Sequence, residues 1–493
     1  MNSRIFGVIP GPDLKTAGHL LDQGKAYVDG IELRLDLFTQ IDFPGLKDFL
    51  KSCELPVMFT VRRSDQGGAF SGNEAERLNL LESLCSLQPA YIDLEYDVPL
   101  EFRKKLFENF PQISFLSSYH DFSKTPENLE EVFDQIKTPY AHLYKMAFAA
   151  KSSLDALRLL VFLQSRRKDE NVIAISMEEN GAISRILTPI VGGLITYASL
   201  AEGVSTAPGQ ILAKELCEVY RFHQLNDQTQ IYALIGDPVN KSLGHLVHNA
   251  VFDEAKMNAV YVRINVKPEE LSSFFTSILK LAFKGLSITM PHKESVIAFL
   301  KTSSETQAIH ACNTIKIEDG SLIGYNTDGI GALNAIEQKG KVFGRHIVFI
   351  GAGGAARALI FEASKRGATV TVINRTSEKA KEIAKMVNAN GGGFDLLPEV
   401  CKKGYDILIN CTPDTDPIED QWILRDKIVM DLIYVPKMTP FLTKALQKDC
   451  QIVYGYEMFI GQAIEQERIW FPKGVDFEKA YAIIEEKVIR TLN

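Results

Sequence analysis

The sequence predicts an α/β protein in which a closed (β/α)8 barrel precedes a two-lobed α/β unit that contains a Rossmann nucleotide-binding domain. The chain has 493 residues, which is too long for one hydrophobic core and suits roughly two to four domains. Short apolar runs alternate with helix-period segments eight times between residues 5 and 222. A glycine-rich turn lies between two further apolar runs at 346–376.

The first half contains eight candidate strands, with helix candidates at Asn73–Leu87, Pro126–Ile136, Lys151–Arg166 and Gly209–Phe222. Eight strand-helix repeats favour a closed barrel over an open doubly wound sheet, since no glycine-rich nucleotide turn follows an early strand. The strands are Ile5–Ile9, Ile31–Asp36, Val57–Arg62, Tyr91–Glu95, Ser114–His120, His142–Ala147, Val172–Met177 and Leu194–Leu200.

Charged residues gather at the ends of these strands, where (β/α)8 barrels place their chemistry. Glu32, Arg34 and Asp36 share one side of the second strand by the two-residue period. Charges on the side away from the helices point into the barrel and need partners there. The C-terminal end of the barrel is therefore predicted to be the functional end.

Lys145 stands out because its neighbours in HLYKMAFAA are mostly apolar. A low dielectric disfavours the ammonium, and a neutral lysine can form a Schiff base with a ketone. His120, one strand earlier, is a candidate proton-transfer partner. Taken singly, Lys145 could equally belong to a structural ion pair and His120 to the core. Together with Glu95 at consecutive strand ends, they favour chemistry.

Residues 1–222 resemble the type I 3-dehydroquinate dehydratases through ELRLD (32–36), FTVR (59–62), DLE (93–95), SYHD (118–121), YKMA (144–147), ISR (183–185) and APGQ (207–210). The resemblance implies a Schiff base between Lys145 and 3-dehydroquinate, with His120 as the base and Glu95 orienting and polarising His120. It assigns substrate binding to Glu32, Arg34, Arg62, Arg185, Thr206 and Gln210. Thr206 replaces the Ser that is common there, and MEENG (177–181) replaces a glycine-richer loop.

The second half begins after a polar joint at 222–230 and contains a candidate acid/base pair. Lys293 follows the apolar SITM strand, and Asp328 lies in a short turn. Opposite charges tune each other and can relay a proton to a carbonyl oxygen, although in isolation the pair reads as an ordinary salt bridge. His245 and His248 are three residues apart, but no further ligand at metal spacing supports them, so no metal is expected.

The stretch from His346 to Thr376 reads as strand, glycine turn, helix and strand. Glycines allow a tight turn and a close approach of the backbone to a pyrophosphate, whose charge the helix N-terminus stabilises. The second strand ends in Asn374, Arg375 and Thr376, where an NAD enzyme usually carries Asp or Glu. A guanidinium can pair with a 2′-phosphate, so NADP(H) is favoured over NAD.

Residues 231–493 resemble shikimate dehydrogenase through GDPVNKS (236–242), ITMPHK (288–293), CNT (312–314), NTDG (326–329), GAGGAAR (351–357), NRT (374–376), NCTP (410–413), DLIYVP (431–436) and GYEMFIGQ (455–462). The resemblance implies NADPH-dependent reduction of 3-dehydroshikimate to shikimate, with Lys293 and Asp328 as the catalytic pair. The implied substrate ligands are Ser242, Thr289, Asn313, Tyr434 and Gln462. The implied cofactor ligands are Gly351, Gly353, Gly354, Ala355, Asn374, Arg375, Thr376 and Gly455.

Two departures from the dehydrogenase pattern bear on substrate binding. Gly244 stands where the substrate loop usually has a second serine, and Ser287 stands where asparagine is common. The expected domains are a dehydratase barrel at 1–225, a substrate-binding domain at 230–335, an NADP-binding domain at 336–454 and C-terminal helices at 455–493 that return to the substrate-binding domain.

Composition narrows the function classes. The net charge of −8 gives no basic surface for nucleic acid. The seven cysteines are scattered, and no long apolar segment follows the N-terminus, so we expect a cytoplasmic protein without a membrane span. The expected partners are the small-molecule substrates 3-dehydroquinate, 3-dehydroshikimate and shikimate, and the sequence leaves a monomer and a homodimer open.

Two alternatives to a bifunctional enzyme of aromatic amino acid biosynthesis remain at this stage. A dehydrogenase half that prefers quinate or a related polyol would use the same scaffold. A regulator that senses metabolites without turnover would have lost its reactive residues, whereas Lys145, His120, Lys293 and Asp328 are all present.

Overall fold

The computed structural model describes residues 3–166, 170–204 and 207–492. The chain forms two compact units. The first contains the described residues up to Gln230 together with Asn258–Val260 and Ile264–Ala282. The second contains Ile231–Met257, Tyr261–Arg263 and the chain from Phe283 onward.

The first unit is a nearly closed parallel barrel, as the sequence predicts. Its strands pair in the order β7-β6-β5-β4-β3-β2-β1-β8, and every pairing is parallel. The N–H of Leu194 donates to Val172 O (3.1 Å), which links the last strand back to β7 and excludes an open sheet. The strands are β1 (Arg4–Ile9), β2 (Gly30–Arg34), β3 (Val57–Thr60), β4 (Tyr91–Glu95), β5 (Ser114–Asp121), β6 (Leu143–Ala149), β7 (Val172–Met177) and β8 (Ile195–Ser199).

Helices connect the strands, and side-chain caps fix where five of the described barrel helices begin. Asn73 and Glu76 form a capping box at the start of α3, and Ser152 caps α6. The expected helix at 209–222 is shorter, because Gly209 has φ +76° in a turn that precedes it. The helices are α1 (Leu14–Gly24), α2 (Phe43–Ser52), α3 (Glu74–Cys85), α4 (Leu100–Asn109), α5 (Leu129–Ile136), α6 (Ser153–Ser165), α7 (Ala182–Leu187) and α8 (Ala213–Glu218).

Apolar side chains fill the barrel interior below its polar end. Phe6, Met58, Leu116 and Ile173 are buried there in one cluster. The charged side chains at the C-terminal strand ends pack on top of this apolar layer.

The next sheet along the chain is mixed and has the strand order β10-β9-β11-β13-β14-β12. Its strands are β9 (Gln230–Gly236), β10 (Ala259–Asn265), β11 (Phe283–Ile288), β12 (Lys301–Thr302), β13 (Thr314–Glu318) and β14 (Ser321–Tyr325). The helices in this stretch of chain are α9 (Gly244–Glu254), α10 (Leu271–Ile278), α11 (Ser304–Ile309) and α12 (Asp328–Glu337). Of these, α10 belongs to the first unit, where it packs against α6.

A parallel six-stranded sheet follows in the order β17-β16-β15-β18-β19-β20, which is the Rossmann arrangement that the sequence predicts. Its strands are β15 (His346–Ile350), β16 (Thr369–Ile373), β17 (Asn390–Gly392), β18 (Ile407–Asn410), β19 (Ile428–Asp431) and β20 (Gln451–Val453). The helices are α13 (Gly354–Lys365), α14 (Ser377–Lys385), α15 (Leu397–Lys403) and α16 (Pro440–Leu446).

Two final helices, α17 (Gly455–Trp470) and α18 (Phe477–Leu492), pack on α9 through an apolar cluster that includes Val247, Ile460 and Ile484. Helix α17 also crosses α12 at two glycines. A Cβ on Gly331 would lie 2.4 Å from Gln462 N, so the two backbones touch directly. This contact holds Gln462 close to the start of α12.

No α-helix within the described ranges combines the length and the apolar character that crossing a bilayer requires.

Candidate active sites

The barrel has a cavity at the C-terminal ends of its strands, and most of the residues that the sequence singled out line it. They are Glu32, Arg34, Arg62, His120, Lys145, Arg185 and Gln210. Thr206 lies outside the described residues. Glu95 is fully buried next to the cavity without lining it. The strand-end pattern therefore located a single site.

Lys145 lies among charged neighbours rather than the apolar ones that its own strand suggests. Its Nζ donates to Asp93 Oδ2 at 3.2 Å and lies 3.6 Å from Glu32 Oε1. It also lies 4.1 Å from the ring centroid of Tyr197. Lys145 is buried, as a low-dielectric site requires, but its partners are charged because side chains from β2, β4 and β8 converge on it across the barrel.

Asp93 contacts Lys145, and the sequence did not indicate this contact. It accepts hydrogen bonds from Arg62 (2.6 Å) and Ser118 Oγ (2.5 Å) as well as from Lys145. Burial alone would raise its pKa, but the positive charges of Arg62 and Lys145 outweigh burial and hold the pKa well below its usual range. Asp93 is thus a fixed negative charge beside the lysine.

His120 is available as a base. Its Nδ1 is buried and has no hydrogen-bond partner in the described part of the chain. Burial, together with the charges of Arg62 and Lys145, lowers its pKa well below the ordinary value, so the ring is neutral. Its backbone N–H donates to Gln66 Oε1 at 2.9 Å, and Gln66 lines the same cavity although the sequence did not single it out.

Glu95 does not hold His120. One carboxylate oxygen accepts from Arg77 (2.5 Å), and the other accepts from the backbone N–H of Arg63 (3.2 Å) and lies 3.4 Å from Arg62. We find no hydrogen bond between Glu95 and His120 among the described residues. Guanidinium groups compete for a carboxylate more strongly than a neutral imidazole does, which explains why the expected contact is not made.

The cavity has one arginine suited to an anion. Arg185 donates to two carbonyl oxygens, those of Gly209 (3.1 Å) and Tyr197 (3.1 Å), and has no acidic partner among the described residues. Burial lowers its pKa to about 10, so it stays charged at neutral pH. By contrast, Arg34 pairs with Asp36 through two hydrogen bonds. Because no carboxylate in the described part of the chain competes for it, the Arg185 guanidinium can take a substrate carboxylate.

In the second unit, Lys293 and Asp328 lie together. Lys293 Nζ donates to Asp328 Oδ2 at 2.5 Å, and Asn313 Nδ2 donates to Asp328 Oδ1 at 2.8 Å. The lysine side chain is 19% exposed and the aspartate 5%, so a substrate can reach the lysine while the carboxylate stays fixed. This geometry suits a proton relay.

The residues expected to bind substrate surround this pair to different degrees. Asn313 and Gln462 lie 3.5 Å apart through their side-chain amides. Ser242 Oγ accepts from the backbone N–H of Gly244 (3.1 Å). Tyr434 stacks on Phe459 at 5.6 Å. Thr289 packs its methyl group against Gly236.

Both departures from the dehydrogenase pattern involve buried polar neighbours. A Cβ on Gly244 would lie 3.3 Å from Ser242 Oγ and from Tyr261 Oη. Ser287 donates to Gln466 Oε1 (3.0 Å), and Gln466 in turn donates to Asn313 O (3.3 Å). Ser287 therefore supports the backbone of Asn313, while Gly244 leaves the substrate loop with one hydroxyl fewer.

The glycine turn has the shape that a nucleotide needs. Gly351 has φ +113° and lies so close to Thr412 that a Cβ would be 2.9 Å from its methyl group. A Cβ on Gly353 would meet nothing within 4 Å, so open space lies in front of the N-terminus of α13. A Cβ on Gly354 would lie 3.8 Å from Lys293 Cβ, which places the turn beside the lysine.

The end of β16 presents an exposed cation. Arg375 is exposed and has no acidic partner among the described residues, while Asn374 closes the turn by donating to Thr376 O (3.0 Å). Gly455 is closely packed, because a Cβ there would lie 2.5 Å from Ile433 O. The described residues contain no cluster of three or more His, Cys, Asp or Glu side chains that could hold a metal ion.

Three family profiles match the chain. One described as type I 3-dehydroquinase covers residues 5–227. One described as the shikimate dehydrogenase substrate-binding domain covers residues 234–315. One described as shikimate/quinate 5-dehydrogenase covers residues 334–430.

Whole-length relatives carry both halves in the same order. The shikimate biosynthesis protein AroDE of Chlamydia pneumoniae is 31% identical over 470 residues, which are 95% of each chain. The chloroplastic bifunctional 3-dehydroquinate dehydratase/shikimate dehydrogenase of Arabidopsis thaliana is 32% identical over 482 residues, covering 92% of this chain and 79% of that one. A crystal structure of a shikimate dehydrogenase in complex with NADP+ is 37% identical with a TM-score of 0.50, covering 55% of this chain and 98% of that one.

Proposed function

The chain belongs to the family of bifunctional 3-dehydroquinate dehydratase/shikimate dehydrogenases, and we propose that its two units act in turn on one carbocyclic acid. The first unit removes water from 3-dehydroquinate to give 3-dehydroshikimate. The second reduces 3-dehydroshikimate to shikimate with NADPH. The protein is thus both a lyase and an oxidoreductase of the shikimate pathway, which leads to the aromatic amino acids.

Dehydration is proposed to run through an imine on Lys145. The amine adds to the substrate ketone, and loss of water from the adduct leaves a protonated imine that makes the neighbouring C–H acidic. His120 takes that proton on its unpartnered nitrogen and returns a proton to the departing hydroxyl, which leaves as water. Water then releases the product from Lys145. Lys145 and the neutral His120 line the same cavity, and this is the observation that supports the assignment.

The remaining cavity residues are proposed to orient the acid. Arg185 and Gln210 hold the carboxylate, because Arg185 has its guanidinium free of other anions among the described residues. Glu32, Arg34 and Arg62 contact the hydroxyl groups. Thr206 stays a sequence prediction. We propose that Glu95 acts on His120 indirectly, by fixing Arg62.

Reduction is proposed to use Lys293 as the proton donor to the substrate oxygen. Asp328 holds the lysine amine in place and takes up the proton in the reverse direction, which the 2.5 Å contact between them supports. Asn313 and Gln462, with Ser242, Thr289 and Tyr434, would bind the hydroxyl and carboxylate groups of the acid.

The residues around the glycine turn fit NADP(H), which supplies a hydride when bound. Gly351, Gly353, Gly354 and Ala355 would receive the pyrophosphate in the open space before α13. Asn374, Arg375 and Thr376 would receive the 2′-phosphate, since the exposed guanidinium has no competing carboxylate among the described residues. Gly455 is proposed to shape the cofactor site by close packing only.

One coupled assay tests the whole assignment. The purified chain is given 3-dehydroquinate and NADPH, and nicotinamide oxidation is followed by absorbance. Oxidation is expected without any added enzyme, and shikimate is the expected product. Accumulation of 3-dehydroshikimate with unchanged NADPH would refute the dehydrogenase assignment, and unchanged 3-dehydroquinate would refute the dehydratase assignment.

Gly244 favours one alternative for the second unit, a preference for quinate or a related polyol. The substrate loop has lost a hydroxyl there, so the contacts to the carboxylate or to the ring hydroxyls differ from the usual pair of serines. Kinetics with shikimate and quinate, each with NADP+ and NAD+, would separate the two. A higher kcat/KM with quinate would support the alternative.

We propose the domain divisions 1–225, 230–335, 336–454 and 455–493, supported by one sheet in each of the first three segments. A cytoplasmic location is also proposed. All seven cysteines are free thiols, the state that a reducing cytoplasm maintains. Light scattering of the purified chain would distinguish a monomer from a homodimer.

A further inference from the structure

Arg77 lies on α3, outside the ring of barrel strands, yet its side chain has no exposed surface. Its guanidinium donates to Glu95 Oε2 (2.5 Å) and to Val61 O (3.3 Å). Two further hydrogen bonds, at 2.9 and 2.7 Å, go to Glu74 on its own helix. A charge in such a buried place is retained only when its partners compensate for the lost solvation.

From Arg77 a row of alternating charges leads to Lys145. Glu95 faces Arg77 on one side and Arg62 (3.4 Å) on the other. Arg62 donates to Asp93 Oδ2 at 2.6 Å, and the same oxygen accepts from Lys145 at 3.2 Å. Each member is at least 94% buried in its side chain, so water screens these contacts little.

Several groups face Lys145 from the strands around it. Glu32 on β2 and Asp93 on β4 are the anions, Tyr197 on β8 places its ring 4.1 Å from the amine, Arg62 donates to Asp93, and the neutral His120 lines the same cavity. With Arg77, Arg103, Glu74 and Glu95 included, four cations face four carboxylates: Arg103 donates to the backbone oxygen of Glu95, and Glu74, which pairs with Arg77, is 40% exposed. Lys145 must give up a proton before it can attack a ketone, so any anion left without a cation favours the unreactive ammonium.

We propose that Arg77 is a positioning residue of the dehydration reaction: by neutralising Glu95 it leaves Arg62 to Asp93, and so keeps Asp93 from holding Lys145 as an ammonium. Arg77 does not line the cavity and does not touch the substrate. Without its charge, Glu95 would draw Arg62 toward itself and Asp93 would turn to Lys145. The loss of a positive charge acts on the amine in the same direction. This role rests on the proposed imine chemistry of Lys145.

The test replaces Arg77 in the full chain and follows the pH dependence of dehydratase kcat/KM. In Arg77→Met the acidic limb of this profile is expected to move to higher pH by roughly one unit. At a fixed pH on that limb, kcat/KM should therefore fall about tenfold. Arg77→Lys should restore most of the profile. Arg77→Met/Glu95→Gln removes one charge of each sign, so its limb should return toward the original position.

Arg158→Met is the matched control, since Arg158 forms an ion pair with Asp155 (3.0 Å) on the barrel surface. Its limb should not move. An unmoved limb in Arg77→Met, or an equal shift in Arg158→Met, would overturn the role of Arg77. If Arg77→Met does not fold, the test uses Arg77→Lys and the double variant. An acidic limb that lies one pH unit or more above that of the parent chain in the double variant would overturn the role of Arg77.

Borohydride trapping with 3-dehydroquinate separates this inference from the proposed function on which it rests. An adduct on Lys145 in the unmodified chain together with an unshifted limb in the variants would remove only the role of Arg77. Absence of that adduct during turnover would remove the imine mechanism and the role of Arg77 with it. Dehydrogenase activity in every variant reports that the chain as a whole is intact.

Discussion

The two units use the same side chain, a lysine beside an aspartate, in opposite electrostatic settings. Lys145 is 6% exposed and lies near two carboxylates, of which Asp93 is also held by Arg62 and Glu32 by the hydroxyl of Thr60. Lys293 is 19% exposed and has one carboxylate, Asp328, fixed by the neutral amide of Asn313. Lys293 therefore has one carboxylate partner that no other cation contacts in the described part of the chain, which is the arrangement that a two-residue proton relay needs.

A contact between a lysine and a carboxylate therefore does not by itself define the chemical role of the lysine. In the barrel, Arg62 shares Asp93 with Lys145, so the nearer of the two carboxylates is divided between two cations. In the second unit, Asp328 belongs to Lys293 alone among the cations of the described residues. The cations around the carboxylate, rather than the lysine, separate a nucleophile from a proton relay.

The largest effect is expected for Lys145→Ala. Without the amine no imine can form, so dehydration should fall below detection while dehydrogenation stays within about twofold, because the two sites are in separate units. Separate assays with 3-dehydroquinate and with shikimate plus NADP+ measure this. Lys151→Ala, at an exposed lysine just after β6, is the control. Loss of both activities in Lys145→Ala would contradict the assignment of the two reactions to separate sites.

Asp328→Asn should affect only the second unit. An amide cannot hold the proton relay, so dehydrogenase kcat should fall roughly 10²- to 10⁴-fold with dehydration unchanged. Steady-state kinetics in both directions check this. Asp449→Asn, at an exposed carboxylate that pairs with Arg425, should leave kcat unchanged. A KM effect without a kcat effect would show that Asp328 binds substrate rather than moves a proton.

Arg375→Ala sharpens the cofactor assignment. Loss of a charge-assisted contact to the 2′-phosphate should raise the KM for NADPH roughly ten- to a hundredfold and leave that for NADH unchanged. Arg425→Ala, at an exposed arginine of the same domain, serves as the comparison. Equal KM values for NADPH in Arg375→Ala and in the parent chain would place the 2′-phosphate elsewhere.

The smallest effect concerns stability and pH. The pKa of His120 is lowered in the folded barrel, first by burial and then by Arg62 and Lys145. An unfolded chain binds that proton near pH 6.5 and the folded chain only at lower pH, so the free energy of unfolding should fall as pH drops below about 6.5, by at most about 1.4 kcal/mol per unit. Urea unfolding of the parent and of His120→Asn at several pH values measures it. An identical slope in both chains would contradict a neutral buried His120.

Much of the fold could be predicted from the sequence because the patterns that encode it are local. Tyr91–Glu95 and Val172–Met177 have the predicted bounds, since each apolar run ends at a turn or a polar residue. The glycine turn at Gly351 needs a backbone that only glycine adopts easily, and this requirement is visible in the letters.

The partners of the charged residues could not be predicted in the same way. Asp93 was visible at a strand end, but its contact with Lys145 depends on the stagger between β4 and β6, which are not adjacent in the sheet. Arg77 gave no signal, because a helical arginine normally points to solvent and only packing shows that it turns inward. The resemblance implied that Glu95 orients His120, whereas the carboxylate of Glu95 accepts from Arg77, a contact that no sequence pattern indicates.

One measurement tests the division between the two lysines most directly: borohydride reduction of the chain during turnover of 3-dehydroquinate, followed by mass analysis of its peptides. A single adduct on the peptide that contains Lys145, with the Lys293 peptide unmodified, is the predicted result. An adduct on Lys293, or steady dehydration with no adduct on any peptide, would contradict it.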